Sequence, residues 1–77
     1  MYFKEYLNMM LDKHQKTQKE VAELEDVNCD PSLVSYWCSG DRKCTDPKKR
    51  KAIVNFFAKT PTEFKQHLFF IYTGKKQ

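Results

Sequence analysis

Residues 30–40 read DPSLVSYWCSG. An acid stands directly before a proline, apolar residues follow at helical spacing, and the stretch stops on a glycine. Asp30 is placed to cap a helix, because its carboxylate accepts from an amide of the first turn. Pro31 falls at the first helical position, where a missing N–H costs nothing. Val34 and Trp37 form an inward stripe, with Leu33 at its edge. Gly40 ends the helix, since glycine takes the positive φ of a helix stop without a Cβ penalty. The segment predicts a short, self-capped helix whose other face carries hydroxyls.

The same punctuation recurs on both sides of it. Upstream, Thr17-Gln18-Lys19-Glu20 is a capping box, opening a helix with Val21, Ala22 and Leu24 facing inward. Glu25 to Cys29 reads as a turn. Further back, Phe3, Tyr6, Leu7, Met10 and Leu11 follow the i, i+3, i+4, i+7, i+8 pattern of an amphipathic helix that fades near His14. Downstream, Asp46-Pro47 opens a fourth helix with Ile53, Val54, Phe56 and Phe57 on its apolar side. Thr60-Pro61-Thr62-Glu63 opens a fifth, with Phe64, Leu68, Phe69, Ile71 and Tyr72, and Gly74 closes it. No run alternates at period two, and no Asn-Gly or Asp-Gly hairpin appears. The expectation is all-α: a compact five-helix bundle, one domain over residues 1–77, with 60–74 a C-terminal closing or dimerisation helix.

A chain of 77 residues allows one small core, burying only about 60% of its unfolded surface. With 40% apolar and 31% charged residues, the composition is that of a soluble globular domain. The longest apolar stretch, LFFIY at 68–72, is too short for a bilayer. Charges at Lys4, Glu5, Asp12 and Lys13 break any signal-peptide run. Three cysteines, Cys29, Cys38 and Cys44, form an odd set without a CxxC pair, which suits a reduced, cytoplasmic setting. The net charge is +4, unevenly distributed. Glu20, Glu23, Glu25, Asp26 and Asp30 crowd one stretch; Arg42, Lys43, Lys48, Lys49, Arg50 and Lys51 crowd the next. Such asymmetry predicts a basic face for a polyanion, the bland alternative being a solvated helix surface.

Two short helices joined by a compact turn are a helix-turn-helix candidate, here helices two and three. The order of residues sharpens this: Thr17-Gln18, then Val21-Ala22, then Val34-Ser35, Trp37 and Gly40, then Arg42 and Lys43 in a basic loop. In that order the chain resembles the phage-repressor helix-turn-helix family, the Cro/cI type, over residues 3 to about 58. It departs from the family pattern in the turn, about two residues longer with Asp26 where glycine is usual, and at Cys38, where an acid is common.

The resemblance implies double-stranded DNA as partner. Ser32, Leu33, Ser35 and Tyr36 would face the bases, with Ser32 and Tyr36 giving the polar contacts. None offers the bidentate pairing that discriminates strongly between bases. Lys16, Gln18 and Lys19 at the start of helix two, and Arg42, Lys43, Thr45, Lys48 and Lys49 after helix three, would hold phosphates. Arg50 and Lys51 lie around helix four from these. Helix five carries apolar residues around most of its girth. It is either a deep plug or, on its second side with Phe70 and Ile71, a surface for a second copy or another partner.

Other chemistries fit less well. The cysteines, with His14 or His67, match no common zinc spacing, and small buried thiols are the simpler reading. No metal or cofactor is implied. A nucleophile, base and orienting group in one pocket are not visible, and both glycines read as helix stops rather than a phosphate loop, so no enzyme is expected. The sequence thus favours sequence-specific DNA binding by a transcriptional regulator of phage or mobile-element type, with no membrane association. Its rival is a protein-interaction module on the same scaffold, an antirepressor or an inhibitor of a host protein.

Overall fold

The computed structural model describes residues 2–75. It contains α1 (Phe3–His14), α2 (Gln18–Ala22), α3 (Pro31–Ser39), α4 (Pro47–Phe57) and α5 (Pro61–Thr73). No strand occurs among the described residues, and the Cα radius of gyration is 11.3 Å. The all-α, five-helix expectation is met.

The caps are where the sequence placed them. Asp30 Oδ1 accepts from the Ser32 amide at 2.8 Å, and Asp46 Oδ1 from the Lys48 amide at 3.0 Å. Thr17 Oγ1 accepts from the Glu20 amide and Thr60 Oγ1 from the Glu63 amide. The second half of each expected capping box differs. Glu63 reaches one residue further back, to the Lys59 amide at 2.7 Å, and the Glu20 carboxylate instead pairs with Lys16. Gly40 and Gly74 end their helices at φ +87° and +72°. Helix α1 has no such glycine and stops on Gln15 at φ +52°.

The core is one cluster. Phe3, Tyr6, Leu7 and Met10 from α1 meet Val21 and Ala22 from α2, Val34 and Trp37 from α3, and Ile53, Val54 and Phe57 from α4, with Ile71 from α5. Helix α1 packs on α3 and α5, α2 on α3, and α4 on α5. Residues 23–30 between α2 and α3 hold themselves by backbone bonds: Val27 and Asn28 amides donate to the Leu24 carbonyl, and Cys29 to that of Ala22. Asn28 takes φ +40°, supplying the left-handed residue that a glycine would give. Val27, read only as turn, is buried in the core.

Helix α5 corrects one expectation. Ile71, assigned to a partner-facing side, has no exposed surface at all. The stripe turned inward runs through Phe64, His67, Leu68 and Ile71. Phe70 is half-buried, with its ring 6.5 Å from that of Tyr6. The side left open carries Phe69, 37% exposed, and Tyr72, 55% exposed. Tyr72 stands in the same i, i+4, i+8 row as Phe64 and Leu68 but is not packed with them. At 100° per residue, a row of i, i+4, i+8 drifts off a straight helix face, and the drift puts its last member in solvent.

Candidate nucleic-acid interface

Helix α3 is held by its inner face and open on its outer one. Val34 and Trp37 are buried, and the Phe3 ring meets Trp37 edge-on at 6.2 Å. Ser32, Ser35 and Tyr36 are exposed and Leu33 is half-buried, so the four residues expected to face bases share an accessible side. Their chemistry is narrower than expected. The Ser32 hydroxyl already donates to Asp30 Oδ1 at 2.7 Å, which leaves only its lone pairs free. That bond and the amide bond from Ser32 hold the Asp30 carboxyl below its ordinary pKa, so the cap is charged at neutral pH.

At the other end of α3, the Arg42 guanidinium lies over the Tyr36 ring, 4.8 Å from its centroid. This is a cation–π contact. A residue expected to touch phosphate and one expected to touch bases are thus a single unit, 41% of Tyr36 remaining exposed. The Ser39 hydroxyl donates to Asp41 Oδ2 at 3.0 Å, tying the loop to the end of α3.

The expected phosphate contacts divide into groups. Lys16 pairs with Glu20 at 3.7 Å, and its ammonium lies 5.9 Å from the Phe56 ring centroid. Lys19 pairs with Glu23 at 3.9 Å. Gln18 is half-buried and lies close enough to the Cys38 thiol to oppose the upward push of burial on its pKa, so its side chain is turned partly towards α3. The start of α2 is therefore less available than the sequence implied. Arg42, Lys43, Thr45 and Lys48 are exposed. Among the described residues the only ion pairs are those of Lys16 and Lys19, leaving Arg42, Lys43, Lys48 and Lys49 without carboxylate partners. Lys49 lies near the Cys29 and Cys44 thiols, where burial pushes both pKa values up and its charge pulls them back. Lys48 lies on a different side of α4, in a shallow groove with Asp26, Lys51 and Asn55.

Arg50 is not a surface charge. It is 9% exposed and donates from Nη1 to the Cys44 carbonyl at 2.7 Å, fixing the loop from beneath. All three thiols have raised pKa values, burial being the first cause in each, so at neutral pH they are protonated and act as small apolar groups. Among the described residues no cluster of three His, Cys, Asp or Glu side chains is arranged to hold a metal. No described helix is long and apolar enough to cross a membrane.

Two contributors escaped sequence reading. Asn8 donates from its side-chain amide both to the Lys4 carbonyl at 3.0 Å and to the Cys38 carbonyl at 2.9 Å, bolting α1 to the last turn of α3. An asparagine inside an amphipathic helix is a weak signal of such a bond, because asparagine competes poorly there without a partner. Lys4 lies beside Gly40: a Cβ there would stand 3.3 Å from Lys4 Nζ.

Searches against protein-family models, curated proteins and solved structures found no match to this chain. Its function rests on the chemistry of the site.

Proposed function

We propose that the chain binds double-stranded DNA, with α2 and α3 acting as a helix-turn-helix and α3 entering the major groove. That groove is about 12 Å wide and admits a helix. Leu33 would meet a thymine methyl, Ser35 and Tyr36 would give polar contacts, and Ser32 would only accept. Arg42, Lys43 and Lys49 would neutralise the backbone near the ends of α3, with Lys48 following on α4. The observation that carries this reading is the Arg42–Tyr36 stack, which places a cation that forms no ion pair among the described residues directly against the exposed face of α3. Hydroxyls and an aromatic edge discriminate bases weakly, so specificity is modest and much of the affinity comes from phosphates. The regulator would be of phage or mobile-element type and would act by occupancy, blocking or recruiting polymerase. A homodimer through α5 would set two copies on two half-sites.

A second reading has its own support. The exposed Phe69 and Tyr72, together with Tyr2 at 44% exposure, suit a protein partner, in which case the same scaffold is an interaction module.

A salt titration with mixed-sequence duplex DNA tests the first reading. Log affinity should fall linearly with log salt, with a slope of about −0.9 per phosphate neutralised. No measurable binding at low salt would leave the interaction module as the better account.

A further inference from the structure

Between the start of α1 and the loop after α3 lies a groove of about 290 Å³. Phe3 and Trp37 form part of its wall, and Lys4, Arg42, Lys43 and Glu5 bring charge to it. Three cations against one carboxylate make it an anion site by charge. Lys4 is held there by the fold. The Asn8 amide binds the Lys4 carbonyl and the Cys38 carbonyl together, which fixes this turn of α1 against the end of α3. Gly40 has no Cβ, so the Lys4 stem lies directly against it. Lys4 is exposed, and it forms no ion pair with Glu5 or Asp41 among the described residues.

We infer that this groove seats a backbone phosphate of the bound duplex, held jointly by Lys4, Arg42 and Lys43. The inference rests on the DNA-binding reading and extends it. The clamp is then not a property of α2, α3 and their loop alone, because α1 supplies one of its cations. Arg42 would join the two surfaces, stacked on Tyr36 on one side and facing the groove on the other. A purely structural role for Lys4 is the competing account: an ammonium beside the carbonyl end of α3 favours the helix dipole. The two accounts differ in what salt does.

The test compares Lys4→Gln, Arg42→Ala and Lys65→Gln with the unaltered protein, titrating each against a mixed-sequence DNA duplex over a range of salt and melting each alone. Lys65 is an exposed cation on α5, away from the groove. Lys4→Gln should reduce the salt slope by about one and weaken binding roughly eightfold at about 0.1 M salt. Its base preference and melting temperature should stay close to those of the parent, and Lys65→Gln should leave the slope intact. An unchanged slope for Lys4→Gln beside a reduced one for Arg42→Ala would overturn the inference and spare the DNA reading. A lowered melting temperature with an intact slope would make Lys4 a helix cap only. Equal losses for Lys4→Gln and Lys65→Gln would reduce the effect to net charge and overturn the groove. Failure of the parent to bind duplex DNA at all would remove the DNA reading and the inference with it.

Discussion

The Tyr6 hydroxyl sits 2.9 Å from His67 Nδ1, joining α1 to α5. Tyr6 is 1% exposed, and burial holds its phenol protonated, so the hydroxyl donates and the ring nitrogen accepts. That arrangement requires a neutral imidazole. Burial lowers the His67 pKa; Glu63 opposes the shift, while Lys13 and His14 add to it. Because the folded value lies below the unfolded one, the unfolded chain binds more protons as pH falls through the window from about 6.5 downward. Stability is therefore complete above that window and lost as the pH drops through it. His67→Asn, which keeps an acceptor near the position of Nδ1, should flatten the dependence of melting temperature between about pH 7 and 5 relative to the parent. An equally steep dependence in the variant would assign the titration to other groups. The bond was not legible in the sequence. His67 and Tyr6 are sixty-one residues apart, and only the docking of α5 brings them together.

At the scale of the element, the link between α2 and α3 shows how a departure from the expected pattern is accommodated. It lacks glycine, yet the chain reverses by placing Asn28 at φ +40° and burying Val27. A β-branched residue at that φ is strained, whereas glycine is not. Asn28→Val should destabilise the fold by about 1–3 kcal/mol, and Asn28→Gly should be near neutral, measured by denaturant midpoint. Equal stability for the two variants would mean that the left-handed turn is not required. Helices α3, α4 and α5 were legible because local signals start them, Asp30-Pro31, Asp46-Pro47 and Thr60-Pro61, and Gly40 and Gly74 stop the first and last of the three. The contents of the turn were less so, because a lone valine between Asp26 and Asn28 gives no periodicity to read. The facing of α5 failed for a related reason. A helix apolar on most sides offers several equivalent stripes, and the choice of Ile71 as an inward residue is made by α1 and α4 rather than by α5. The exposed side of α3 was legible, since Val34 and Trp37 fix the opposite face. Lys4 and Asn8 were not, because their roles depend on how α1 crosses the end of α3.

For the whole molecule, what remains open on α5 bears on assembly. Phe69 and Tyr72 stand one turn apart on its outer side. The tyrosine at the other terminus is nearby: the Tyr2 amide donates to the Ile71 carbonyl at 2.6 Å, and its ring lies against Gly74. Both chain ends thus bring aromatic rings to one region of the surface. In a domain this small, an exposed apolar patch is an aggregation hazard unless covered, and a second copy related by a two-fold axis would cover it with itself. Such a dimer would present two α3 helices and roughly double the phosphates neutralised, steepening the salt dependence. Phe70 is unsuited to testing this, because it is half-buried against Tyr6 and a carboxylate there would disturb the α1–α5 contact. Phe69→Asp instead charges the open side and leaves the core intact. The parent should sediment as a dimer at micromolar concentration without DNA. Phe69→Asp should sediment as a folded monomer, bind duplex DNA more weakly, and show about half the parent's salt slope. A parent that stays monomeric well above micromolar concentration would assign the aromatic surface to a different protein, and would shift weight from the regulator to the interaction module.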